Sequence, residues 1–257
     1  MRTTYHIERH PDIFIHEHKD VYMSDCILVV GFPSVGLISS IAANYIVRTL
    51  KLERVASIIS DQFPPYTIMQ EGVPSHAVRI YSGKRECRDG ESCEQLVVIL
   101  AEFMPKPELL RPLAELILEW GEHKGVRNIV TLEGINLNEQ SGAVLGVGTT
   151  PGTRAMLEKY DVKEMREGMI TGLSGMLLAE GNRLGSNVIC LLGPARPEMP
   201  DARGAANLME IIGKMLPELK IDPEPLLKEA ESIEVGMRQA MESIKPPKKA
   251  DESYLYG

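Results

Sequence analysis

CILVVGFPSVGLISSIAANYIV, residues 26–47, places an unbroken apolar run before a Gly-Phe-Pro-Ser-Val-Gly turn and a stretch of helical period. Cys26 to Val30 are apolar at consecutive positions, too short a run for a buried helix and rich in branched side chains. That is the signature of a strand buried on both faces. After the turn the apolar residues recur every three or four positions over residues 34–50, as on a helix that buries one side. A strand covered on both faces needs a layer on each side of its sheet, so this unit points to helices packed around a central sheet.

The same alternation runs along the chain. VASIIS (55–60), HAVRIYS (76–82), QLVVILAEF (95–103), NIVTLEGI (128–135) and NVICLLGP (187–194) join CILVVGFP (26–33) as expected strands. Helical spacing recurs in PELLRPLAELILEWGEHKG (107–125), EMREGMITGLSGMLLAEGNRLG (164–185) and ARGAANLMEIIGKML (202–216). Pro107 suits a first turn and Gly125 an exit, while Pro112 threatens to move the start of its helix. The expectation is one three-layer α/β domain over about residues 20–216, within a first segment of residues 1–221.

Charge narrows the function. Against 28 Lys and Arg stand 36 Asp and Glu, a net charge of −8, which repels phosphate backbones and anionic lipid and argues against nucleic acid as a partner. No apolar run approaches the roughly 18–20 residues of a membrane span, and the N-terminal residues carry His, Arg and acids rather than a signal core. A cytoplasmic location is the expectation. Cys26 and Cys190 lie in apolar runs and read as buried small side chains; Cys87 and Cys93 share a polar loop without metal-ligand spacing.

From Asp222 the pattern changes. Leu226, Ala230, Ile233, Met237, Ala240 and Ile244 are spaced alternately by four and three residues, a heptad stripe on an otherwise polar segment, residues 222–245. Such a stripe lies either on its own domain or against copies of itself in an oligomer. Residues 246–257, PPKKADESYLYG, have little to bury and read as a flexible tail.

Several places have the makings of a site. Gly31, Ser34 and Gly36 belong to a strand-to-helix turn where backbone N–H groups could cradle an anion, although neither a phosphate-loop lysine nor a dinucleotide fingerprint follows. GVGTTPG (146–152) is a second glycine-rich loop. Asp61, Glu102 and Glu133 fall at the ends of expected strands, where α/β sheets bind ligands, and His76 precedes another strand. Ser174 is followed directly by Gly175 and so misses the nucleophile-elbow pattern. Of the N-terminal histidines, His6, His10, His16 and His18, the last two would share one face of a strand, which is a simpler reading than a metal pair. No catalytic set, cofactor or metal is expected from these residues.

Taken in order, GFPSVGLISSIAANYIV, DQFPPYTIMQEG with its Phe63-Pro64-Pro65 turn, AEFMPKPELLRPLAELILEW, NIVTLEGI and EGMITGLSG resemble the archaeal members of the proteasome assembly chaperone family. This is the group related to the second eukaryotic proteasome assembly chaperone, and the resemblance covers about residues 20–216. It implies a three-layer sandwich around a mixed sheet, similar to purine nucleoside phosphorylases, and a non-enzymatic assembly or activator-like role. A label of ATP-grasp relative, sometimes given to such proteins, finds no phosphate-gripping lysine here. Several proteins that dock on the proteasome core end in a hydrophobic residue, a tyrosine and any last residue, which Leu255, Tyr256 and Gly257 match. The partners implied are proteasome α-subunits and further copies of the chain, as a tetramer or pentamer whose tails act together. The competing reading is a small-molecule enzyme working from a pocket near Gly31, Ser34, Gly36, Asp61 and Glu102. A third makes the acidic segment 224–244 a scaffold for another partner.

Overall fold

Strands and helices follow one another as β1 (Thr3–His6), β2 (Ile13–Glu17), β3 (Cys26–Gly31), a 3-10 turn (Val35–Leu37), α1 (Ile38–Thr49), β4 (Glu53–Ser60), β5 (Ile68–Gln70), β6 (Val73–Ser75), β7 (Val78–Lys84) and β8 (Gln95–Ala101). The second half adds α2 (Pro107–His123), β9 (Val126–Ile135), β10 (Leu145–Gly148), α3 (Pro151–Lys159), β11 (Lys163–Glu164), α4 (Gly172–Leu184), β12 (Val188–Pro194) and α5 (Ala202–Met215). This computed structural model describes residues 3–6, 10, 12–19, 26–84, 95–136, 143–197 and 199–216, with positions 222, 225, 226, 228 and 235.

Ten strands form one mixed sheet in the order β1-β2-β4-β7-β8-β3-β9-β12-β10-β11, and β5 pairs with β6 as a separate hairpin. The central four, β8, β3, β9 and β12, are parallel. β4 is antiparallel to β7 and β7 to β8, so β4 runs with the central group. Ser60, Ala101, Gly31, Ile135 and Pro194 therefore end their strands at one carboxyl edge.

Side-chain alternation sorts each central strand between two cores. In β8, Val98 and Leu100 join Ile41 and Ile46 of α1 and Leu208 and Ile212 of α5. Val97 and Ile99 face the other way, to Leu113, Ile117 and Trp120 of α2 and Leu177 of α4. The result is the three-layer α/β arrangement expected from the apolar runs. Pro107 does open α2, and Pro112 is accommodated inside the helix at the cost of one backbone bond.

Three expectations are corrected. The helix read from residue 34 starts at Ile38, because Gly36 and Leu37 have φ of 62° and 53° and cannot continue a helix. The helix read from 164 starts at Gly172, behind Gly168 and Gly172 with φ of 148° and 69°. GVGTTPG is no open loop: it ends β10 and starts α3, with the Thr150 hydroxyl accepting from the Thr153 N–H at 3.2 Å. The fold also takes in β1 and β2, upstream of residue 20. Glu17 of β2 is buried and accepts from Trp120 Nε1 at 2.9 Å and Lys124 Nζ at 3.0 Å, which ties the outer strands to α2.

Of the heptad stripe, Leu226 is buried in the α1–α5 core, and the Asp222 N–H donates to the Tyr45 hydroxyl at 3.1 Å. Val235, half a turn out of the stripe, is 56% exposed. Asp222 and Leu226 are thus held against the domain. Ala230, Ile233, Met237, Ala240, Ile244, the tail with Leu255, Tyr256 and Gly257, and Cys87 and Cys93 lie outside the described residues. Among the described residues no helix is long and apolar enough to cross a membrane.

Candidate functional site

At the carboxyl edge, β3 and β9 lie side by side while their outgoing connections diverge, the place where open α/β sheets hold ligands. Here that crevice is filled by the chain itself. Ser34 Oγ accepts from the Gly134 N–H at 3.1 Å and is hydrogen-bonded to Ser39 Oγ, which donates on to the Leu132 carbonyl at 2.8 Å. The Gly36 carbonyl accepts from the Asp201 N–H at 2.8 Å. Gly134 sits so close to the Val35 carbonyl oxygen that a methyl group there would overlap it. Gly31 ends β3, buried against α1. The Ser34 hydroxyl and the Gly36 carbonyl of the GFPSVG turn are thus engaged within the protein.

Glu102 has a different task. It pairs with Arg79 of β7, whose side chain is 3% exposed against 22% for the carboxylate. Asp61 stands apart in a cleft of about 380 Å³ beside the end of β4, lined also by Phe63, Pro64, Pro65, Tyr66 and His76. None of Gly31, Ser34, Gly36 or Glu102 lines it. The five residues that the sequence grouped share an edge of the sheet but not a pocket.

Phe63 packs edge-on to Phe103 with ring centroids 5.0 Å apart, and Tyr66 meets the same ring at 6.4 Å. Burial, with the nearby Glu102 carboxylate, pushes the Tyr66 phenol up to about 12, so it stays protonated. Burial also lowers His76, helped by His16 and Arg54, which keeps its imidazole neutral near pH 7. His16 and His18 do share a face, their rings 5.3 Å apart. The described residues contain no group of three His, Cys, Asp or Glu side chains placed to hold a metal.

Glu133 is the titratable group the sequence undervalued. Burial raises its carboxyl to about 7 from 4.5, against hydrogen bonds from Ser174 and the Gly134 N–H that favour the charged form. Ser174 lies in the first turn of α4, within 2.7 Å of the Thr131 hydroxyl, a structural position and no nucleophile's. Because the folded pKa lies above the unfolded one, folding favours the proton: this stabilisation is full below about pH 4.5 and is lost as pH rises through 7. Glu133→Gln is therefore expected to gain about 3 kcal/mol over the parent at pH 8 and to match it at pH 4. Urea denaturation at the two pH values checks this, and an equal difference at both would contradict it.

The fold has known counterparts. A sequence model of the PAC2 family matches residues 28–241. The chain belongs to the PAC2 family. Among solved structures, this PAC2 chain is similar to PbaA of Pyrococcus furiosus, described as an archaeal homolog of proteasome-assembly chaperone. The two share 30% identity over 90% of this chain and 98% of the other, with a TM-score of 0.75. It also shares its fold with PbaB of the same organism, described as an archaeal proteasome activator, at 24% identity and a TM-score of 0.72 over 90% and 99% of the two chains. An uncharacterized protein of Methanocaldococcus jannaschii is 29% identical over 93% of this PAC2 chain and 95% of its own length.

Proposed function

We propose that this PAC2 chain is a non-enzymatic proteasome assembly chaperone or activator-like factor, a homo-oligomer that docks on proteasome α-subunits in the cytoplasm. The observation that carries this reading is the 30% identity, across nearly the whole of both chains, to a homolog of proteasome-assembly chaperone. The filled crevice between β3 and β9 supports it, since the place where an α/β enzyme would hold its ligand is occupied by the chain's own turn.

Docking is assigned to Leu255, Tyr256 and the carboxylate of Gly257. In this role the terminal carboxylate pairs with a lysine, the Tyr256 ring supplies a broad apolar face with a polar tip, and Leu255 fills an adjoining groove. Residues 1–221 act as the body, 222–245 as a helix and 246–257 as a tether. One short tail binds weakly after its ordering cost, so several tails on one tetramer or pentamer must act together.

Tyr256→Ala is expected to weaken capture by isolated α-rings about 100-fold, through avidity lost at every tail, with an unchanged circular dichroism spectrum. Appending one residue after Gly257 should do the same, because it moves the carboxylate. Capture that survives both changes would defeat the docking assignment and favour a partner bound along the acidic segment 224–244.

A further inference from the structure

The cleft beside β4 has a lining that selects for one kind of charge. Asp61 is exposed at its rim and makes no ion pair with another described residue. Phe63 and Tyr66 contribute rings, and Pro64, Pro65 and His76 belong to the same lining. No lysine or arginine lines the cleft. Of the two guanidinium groups whose charge reaches this lining, Arg79 is neutralised by Glu102, while Arg54, which acts on His76, reaches the Pro74 carbonyl at 3.5 Å.

From this lining we infer that the cleft binds a primary ammonium group, with Asp61 as its counter-ion and the rings of Phe63 and Tyr66 beside it. A carboxylate together with aromatic rings is the usual environment for an organic cation, and an anion would meet Asp61 with no lysine or arginine among the lining residues to offset the repulsion. His76, neutral near pH 7, adds an acceptor without adding positive charge. The cavity of about 380 Å³ takes the end of a chain molecule rather than a folded surface. Two sources share this chemistry, a free polyamine and a lysine side chain on a partner protein. The described lining includes no residue of 246–257, and its presence does not depend on the docking proposed above.

The test titrates the full chain with spermidine and with N-acetyl-lysine methylamide, following the Tyr66 and His76 ring signals by nuclear magnetic resonance. Both signals should shift with saturation, and Asp61→Asn should weaken binding about tenfold, the worth of one hydrogen bond to a charged group. Asp61 is exposed, so the variant keeps its fold, which the unchanged remainder of the spectrum verifies. Lowering the pH far enough to protonate His76 should also weaken binding. Tighter binding of spermidine points to a polyamine, and tighter binding of the lysine amide to a protein lysine. Equal affinity in the parent and Asp61→Asn chains, no shift with either amine, or equal shifts with acetate would overturn the inference. None of these outcomes bears on α-ring capture, which the tail variants read separately.

Discussion

Glu102→Ala is expected to cost about 3–5 kcal/mol of stability, and Arg79→Met markedly less. The two partners are unequally placed: the Arg79 side chain is 3% exposed, whereas Glu102 keeps 22%. Removing the carboxylate strands a buried cationic guanidinium whose Nε already has no hydrogen-bond partner among the described residues. Removing the guanidinium leaves a carboxylate that reaches water in part, while Met fills much of the vacated volume. Urea denaturation of the two variants at pH 7 checks the asymmetry. Equal losses, or a smaller loss for Glu102→Ala, would show that the ion pair does not hold the end of β8 to β7 as described.

Gly134→Ala should be nearly as damaging, at about 3 kcal/mol. The added methyl would overlap the Val35 carbonyl oxygen, and the turn that carries Val35 has little room to retreat. The Leu37 N–H donates to the Ser34 carbonyl at 2.9 Å, and the Gly36 carbonyl accepts from Asp201 at 2.8 Å. Relief of the clash would also break the 3.1 Å bond from the Gly134 N–H to Ser34 Oγ. Gly152→Ala is the control. A methyl there finds Thr150 Oγ1 at 3.8 Å, ordinary contact, within the first turn of α3. It should be neutral or stabilising by up to about 1 kcal/mol. A Gly134→Ala chain as stable as the control would mean that the crevice is not closed by the GFPSVG turn.

The central strands and the α1, α2 and α5 helices were legible because burial on both faces leaves consecutive branched residues, and burial on one leaves a three-to-four spacing. β2 was harder. IFIHE alternates correctly, but its third inward position is Glu17, and an acid there makes sense only beside Trp120 and Lys124, more than 100 residues later. The start of α3 carried a readable signal, Thr150 as cap and Pro151 in the first turn, that the surrounding glycines obscured.

The sites were less legible than the fold. Asp61 and Glu102 stand alike at strand ends, yet one faces a cleft and the other a buried arginine, a difference made by neighbours that come from other parts of the chain. The character of Glu133 comes from burial under α4, which no spacing in the sequence reports. His76 joins Asp61 only because the β5–β6 hairpin folds the chain back on itself.

The most direct test of the proposed role is binding to an immobilised proteasome α-ring by surface plasmon resonance, comparing the full chain with one ending at Asp251. The account predicts saturable binding by the full chain and none by the shortened one at the same concentrations. Equal binding by both, or none by either, would contradict docking through Leu255, Tyr256 and Gly257.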